Sequence, residues 1–210
     1  MTNEEFRARL LSRTEVAGVQ VSPVLFEKLE AYFQLLTIWN RRINLTALDL
    51  ESLPAAAVDR LLVEPLAAAR FAPRHEAVLD VGSGGGSPAI PFALATDAKE
   101  LTMVESRARK SVFLREAART VELTDARVMT GRFADIANSR ELAARFAVVT
   151  VRAVRLEEAD WAGLVNVLKP GGSIFLLHRT DENTQGLPST RETHPLIGDS
   201  SVSIWTIPAQ

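Results

Sequence analysis

Apolar residues in the first third of the chain recur at helical spacing. Leu25, Leu29, Tyr32, Leu36, Trp39 and Ile43 are separated by steps of three and four, which places them on one face of a helix. Ser22 and Pro23 supply its start, a capping hydroxyl followed by proline in the first turn, and the pattern carries the helix to about Asn44. A short helix over 4–13 precedes it, closed off by Gly18. Residues 51–71 stay helical in character, with breaks expected at Pro54 and Pro65. After His75 the pattern changes. Short apolar runs predict strands over 77–81, 101–105, 127–129, 147–151 and 173–177, and amphipathic stretches predict helices over 88–96, 107–122 and 156–168. Beyond Arg179 the chain is rich in Ser, Thr, Pro and Gly, and only 202–207 reads as a strand, at an antiparallel edge. Strands alternating with helices imply an α/β protein with a doubly wound, mostly parallel sheet, helices on both faces and an N-terminal helical extension. The expected division is a helical cap over 1–72 and a sheet domain over 73–210.

Composition narrows the function classes. Of 210 residues, 47% are hydrophobic, enough for a sizeable core, and the net charge is −2, so any nucleic-acid contact must come from a local basic patch. There is no cysteine, which excludes disulfides, thiolate nucleophiles and cysteine-ligated metals. His75, His178 and His194 lack metal-ligand spacing, so no metal is expected. The first residues carry acids and no apolar core, unlike a signal peptide, and no run approaches the roughly 18–20 apolar residues of a membrane span. A cytoplasmic monomer without membrane contact is the expectation.

The chemistry concentrates after the first strand. Residues 78–87 read Val-Leu-Asp-Val-Gly-Ser-Gly-Gly-Gly-Ser, and Glu105 closes the second strand. A buried strand, a glycine turn, a helix, a second strand and then an acid form half of a nucleotide-binding unit. The glycines sit at 82, 84, 85 and 86 in the order D-x-G-x-G-x-G, led by Asp80, and not as the dinucleotide pattern G-x-G-x-x-G. Pro88 and Pro91 remove two amides from the helix start that a pyrophosphate would need. S-adenosyl-L-methionine carries no phosphate and fits better; a nicotinamide-dependent oxidoreductase fits poorly. The order is similar to the motif of class I S-adenosylmethionine methyltransferases, whose Rossmann-like domain often carries a Lys-Pro-Gly-Gly turn like that at 169–172.

Several segments resemble one family, the small-subunit (16S) ribosomal RNA methyltransferase G, or glucose-inhibited division protein B, family. Residues 39–46 match its W-N-x-x-x-N-L-T signature, and 79–91 (LDVGSGGGSPAIP) are similar to L-D-V-G-S-G-x-G-x-P-G-I-P. Glu105-Ser106 with Arg109-Lys110 and Phe113-Leu114-Arg115 resembles D-S-x-x-K-R-x-x-F-L-R; Gly131-Arg132 and Val151-Arg152-Ala153 resemble G-R-A-E-E and S-R-A. The resemblance spans about residues 20 to 180. It implies methyl transfer to N7 of a guanine in 16S ribosomal RNA or the 30S subunit. It also implies that Gly82, Ser83, Gly84, Gly86 and Ser87 line the methionine end of the cofactor, that Glu105 holds the ribose, and that Phe133 and Ala134 flank the adenine. The chain departs where the family usually has R-H-x-x-D-S and here has Arg60-Leu61-Leu62-Val63-Glu64-Pro65; where L-K-G becomes His178-Arg179-Thr180; and in the tail 201–210, which has no basic residue. These departures keep open another RNA or a small molecule as acceptor, and a non-catalytic relative that only binds cofactor or RNA.

Guanine N7 bears a lone pair and no proton, so the reaction needs no general base, and alignment alone is worth about 7–11 kcal/mol. Arginine can donate to guanine O6 without taking a proton. Arg152, at a strand's C-terminal tip, is the first catalytic candidate and also a cofactor-side candidate; Arg132 and Arg60 follow. Arg107, Arg109, Lys110, Arg115 and Arg119, with Arg41 and Arg42, form a candidate phosphate-contacting patch. Trp39 and Trp161 are expected in the core.

Overall fold

The computed structural model describes residues 2–154, 156, 158–180 and 191–209, with the side chains of 158 and 159 excepted. Helix α1 (Asn3–Val16) starts on a capping box in which Thr2 and Glu5 exchange hydrogen bonds. Helix α2 (Pro23–Asn40) is capped by Ser22, whose hydroxyl accepts from the Leu25 amide. It ends at Asn40 and not at Asn44. The Asn40 carboxamide accepts from the amides of Leu45 and Thr46 at 2.9 and 3.0 Å and folds the chain back into a tight loop. The signature at 39–46 is therefore a loop-forming device, with the Trp39 ring edge-on to Phe113 at 5.8 Å.

Pro54 starts a helical segment, as expected, but Pro65 does not break it. The chain runs through α3 (Ala55–Val58), a π-turn (Asp59–Val63), α4 (Glu64–Ala68) and a 3₁₀ turn (Ala69–Phe71). The π-turn absorbs the proline: the Glu64 amide donates to Asp59, five residues back. Pro65 has no amide to offer the carbonyls of Arg60 and Leu61, five and four residues before it.

The sheet follows the expected alternation. Strand β1 (Ala77–Val81) leads through α5 (Ala89–Thr96) to β2 (Glu100–Glu105), then α6 (Ala108–Thr120), β3 (Ala126–Thr130), the short α7 (Phe133–Ile136) and β4 (Phe146–Arg152). Helix α8 (Glu158–Val167) runs into β5 (Leu168–Arg179), and β6 (Glu192–Pro195) and β7 (Ser200–Thr206) complete the sheet. The order is β3-β2-β1-β4-β5-β7-β6, with β7 antiparallel to both neighbours and the other strands mutually parallel. The strand expected at 202–207 is not the edge: it lies between β5 and β6, a short strand ending in proline that carried no alternating apolar signal. The Lys-Pro-Gly-Gly turn lies within β5 and shifts its register against β4.

One face of the sheet and the N-terminal helices share a continuous core that joins Phe6, Leu10, Phe33 and Leu36 to Phe92, Phe113, Val148 and Phe175. The other face packs α7 and α8 against Val149, Val151, Ile174 and Trp205, with Trp161 edge-on to Trp205 at 5.3 Å. At the C-terminal ends of the strands, where open α/β sheets bind ligands, α2 meets the loop after β1 through Tyr32 and the π-turn meets the tip of β4 through Arg152.

Candidate active site

The glycine loop at 82–87 leaves β1 and passes between the tips of β2 and β4. The amides of Gly82 and Ser83 donate to Val104, and the Gly84 amide donates to Glu105 at 2.8 Å. Two glycines are required by shape. Gly82 has φ +74° and a Cβ there would lie 2.5 Å from Val154 Cγ2; Gly86 has φ +85° and a Cβ there would lie 2.9 Å from Ile90 Cδ1. Tyr32 fixes the loop from above, its hydroxyl donating to the Gly85 carbonyl at 2.6 Å. Burial pushes that phenol above its ordinary range, so it remains a donor.

Two clefts open on either side of Gly82. The first, about 370 Å³, is bounded by Gly82, Ser106, Gly131, Arg132, Ala134 and Val154. The second, about 390 Å³, is bounded by Leu45, Leu48, Arg60, Gly84, Ser87 and Arg152. The structure thus brings Arg60 and Arg152 together and leaves Arg132, exposed, in the neighbouring cleft. Phe133 faces the first cleft but its ring is buried against Gly163, so what it offers there is its edge and backbone. Ala134 is exposed at the rim.

Glu105 is buried at the end of β2. Its two oxygens accept from the amides of Gly84 and Arg107, each at 2.8 Å. A carboxylate has about four lone-pair sites, so capacity for ribose hydroxyls remains beside its role in shaping the loop. Ser83 is buried and its hydroxyl donates to the Asp80 carbonyl at 3.3 Å. Asp80 itself is 1% exposed. Thr150 donates to its Oδ1 at 2.5 Å, while Oδ2 has no partner. Burial raises this carboxyl above its ordinary value against the opposing pull of Thr150, Ser83 and Arg152. An unpartnered buried carboxylate oxygen beneath a glycine cradle suits a ligand that brings its own cation, as the ammonium of adenosylmethionine does.

Arg152, at the tip of β4, has a side chain only 9% exposed. Its Nη1 donates to the Arg60 carbonyl, and its Nη2 donates to Ser87 Oγ at 2.7 Å. Glu64 Oε2 lies 3.2 Å from Arg60 Nη1 and 3.5 Å from Arg152 Nη1. Two guanidiniums share one carboxylate, leaving one net positive charge on the cleft wall. Burial, and next the Arg60 charge, lower the Arg152 pKa to about 10, still fully charged at neutral pH. Tyr32 and Glu64 contact this arrangement although sequence reasoning did not single them out as site residues, the acid at 64 being visible only as a departure from the family pattern; Asp80 was read only as the head of the glycine motif, and its buried, unpartnered oxygen was not foreseen.

On the outer face, Arg107, Arg109 and Arg119 of the α6 region are exposed and Lys110 is partly so. Arg115 is used structurally, donating to the Val128 carbonyl and Thr130, and Arg41 pairs with Glu51 at 3.6 Å. The Trp39–Phe113 contact packs the C-terminal end of α2 on α6. Among the described residues no helix is long and apolar enough to cross a membrane, and no group of three potential ligands could hold a metal ion.

The strand order, the glycine loop after β1, the acid at the tip of β2 and the cleft at the β4 tip define a class I S-adenosylmethionine-dependent methyltransferase. Two solved structures share the fold. A protein from Escherichia coli, yhhF, provisionally named a methyltransferase, aligns at TM-score 0.54 and 19% identity over 65% of this chain and 80% of its own. A provisionally named methylase from Haemophilus influenzae aligns at TM-score 0.52 and 20% identity over 67% of this chain and 91% of its own. A family model described as rRNA small subunit methyltransferase G matches residues 25–196. Proteins named ribosomal RNA small subunit methyltransferase G from Chloroflexus aggregans and Halorhodospira halophila are 32% and 34% identical, covering 92% and 87% of this chain and 81% and 84% of theirs. The chain belongs to the rRNA small subunit methyltransferase G family.

Proposed function

We propose that the chain transfers a methyl group from S-adenosylmethionine to N7 of a guanine in 16S ribosomal RNA. The observation that carries this reading is the cleft beside the glycine loop, where Arg152 and Arg60 offer guanidinium donors, and where the described lining residues include no general base, the nearby Glu64 being held by the two arginines. Adenosylmethionine supplies an electrophilic sulfonium methyl: the N7 lone pair forms the new N–C bond, the S–C bond breaks, and sulfur keeps its electron pair as a thioether. The positive charge moves from sulfur to the purine, and no proton has to leave. The glycine cradle and Asp80 would hold the methionine end, Glu105 the ribose, and the cleft between Phe133, Ala134 and Val154 the adenine. Arg152 would donate to guanine O6 and set the base in line with the methyl group, the alignment on which such a reaction depends. Arg132 stands on the adenine side and is better placed for the cofactor or a flanking phosphate.

The exposed cations of α6, with Arg41 and Arg42 after α2, are the residues assigned to RNA phosphate contact in a chain whose net charge is −2. The chain acts as a monomer of cap and sheet domain, the boundary falling near residue 72. Incubation with tritiated adenosylmethionine and 30S subunits lacking the modification, followed by nuclease digestion, tests the reading. Label in 7-methylguanosine supports it; label in another nucleoside, or none despite cofactor binding in calorimetry, overturns it.

A further inference from the structure

Three features of this chain that are unconnected in its sequence meet at one guanidinium. The π-turn and Pro65 strip the Arg60 and Leu61 carbonyls of a helical partner from residue 65. Arg152 Nη1 takes the first of these carbonyls, and Ser87 Oγ donates to the second at 2.6 Å. The same Ser87 oxygen accepts from Arg152 Nη2 at 2.7 Å, and Glu64, buried in the next turn, stands 3.5 Å from Nη1. Ser87 thus spends its only proton on the π-turn and one lone pair on Arg152. It ties together the glycine loop, the π-turn segment and the tip of β4.

We infer that Ser87 is a positioning residue for Arg152, clasping its guanidinium between the glycine loop and the carbonyls that Pro65 leaves open, and that it serves the acceptor side of the reaction more than the cofactor. The inference rests on the proposed N7 chemistry for its purpose. An arginine free to turn makes the commonest of all protein–guanine contacts, a fork onto O6 and N7 together. That fork would occupy the lone pair that must attack. A guanidinium has five N–H donors; the clasp commits one on each Nη and fixes the plane of the group, Glu64 stands beside Nη1, and the direction in which the remaining protons point is set by the protein and not by the base.

The test uses the full chain and its Ser87→Ala and Ser87→Thr variants, with two readouts. The first needs no RNA: nitrogen-15 NMR of the guanidinium groups, with Arg152 assigned by its loss in Arg152→Lys. The clasp gives resolved, slowly exchanging Nη signals for Arg152 in the parent and averaged signals in Ser87→Ala. The second is methyl transfer to 30S subunits, with adenosylmethionine affinity measured by calorimetry. Loss of one hydrogen bond to a charged group predicts a kcat about 10- to 100-fold lower in Ser87→Ala. KM for RNA should be unchanged or lower, cofactor Kd should stay within about twofold, and Ser87→Thr should recover the rate. Averaged Arg152 signals in the parent, or no change on Ser87→Ala, overturn the clasp. So does weaker cofactor binding with kcat retained, which would make Ser87 a cofactor ligand. A parent that shows the clasp by NMR and places no label on N7 overturns the proposed function and leaves the clasp standing.

Discussion

The phenol of Tyr32, on the buried face of α2, donates a 2.6 Å hydrogen bond to the carbonyl of Gly85, in the middle of the glycine loop. The N-terminal helices are therefore not an appendage to the cofactor site: one of them holds its loop in place. Tyr32→Phe removes the donor and leaves a carbonyl short of a partner beneath a fully buried ring. The expected cost is about 1–3 kcal/mol of stability, read by urea unfolding, together with weaker adenosylmethionine binding. A variant as stable as the parent and equal in affinity would show that the loop holds its shape without the helix.

Asp80 should give the free protein a pH-dependent weakness. Its carboxyl sits above the ordinary value of 3.8 because burial disfavours the charge. The folded state therefore holds this proton more tightly than the unfolded chain. Its contribution to stability is complete below the ordinary carboxylate value and is lost as pH rises through the folded-state value. Asp80→Asn removes the titration, so its stability relative to the parent should rise from about pH 4 upward, by at most about 1.4 kcal/mol per pH unit for one group. Parallel stability curves for the two proteins between pH 4 and 7 would contradict this. The same variant should bind adenosylmethionine more weakly, because it lacks the carboxylate charge proposed to pair with the ammonium.

Glu64 is the only carboxylate within ion-pair reach of both Arg60 and Arg152 among the described residues. Glu64→Gln leaves two guanidiniums facing one another with no counter-charge, two of the three side chains being almost fully buried. A loss of about 3 kcal/mol is expected, with the midpoint falling in thermal unfolding. A variant more stable than the parent would mean that the two arginines turn out to solvent and do not line the cleft.

The α6 face should matter to RNA and not to the cofactor. Reversing two exposed charges, Arg109→Glu with Lys110→Glu, should weaken binding to 30S subunits and flatten its salt dependence by about 0.7–0.9 for each phosphate no longer neutralised. Calorimetry with adenosylmethionine should be unaffected. An unchanged salt slope would assign RNA binding to another surface.

Much of this molecule is legible in its sequence because the signals are local. The apolar runs ending at Val81 and Glu105 mark β1 and β2 to within a residue, and Asp80, Gly82 and Glu105 mark the turn between them as the expected cofactor site. What stayed hidden depends on contacts distant in the chain. Nothing local says that Ser87 would meet Arg152, 65 residues away. Pro65 reads as a break because proline lacks an amide; it breaks nothing here, since a π-turn and two side chains take over the carbonyls it leaves. Strand β6 is short and ends in Pro195, and pairing with β7 makes it a strand where its own pattern does not. Asn40 ends α2 early through a side-chain bond that periodicity cannot register.

The central claim, that Arg152 serves N7 methylation of 16S ribosomal RNA on this scaffold, has a direct test. A strain deleted for its own N7 methyltransferase of this family would be complemented with the parent chain or with Arg152→Ala, and its 16S RNA digested for mass spectrometry. The expected result is 7-methylguanosine with the parent and a loss of at least about tenfold with Arg152→Ala, the cost of removing roughly one charged hydrogen bond, while the purified variant still binds adenosylmethionine. Equal 7-methylguanosine from both proteins, or none from a parent that binds the cofactor, would contradict it.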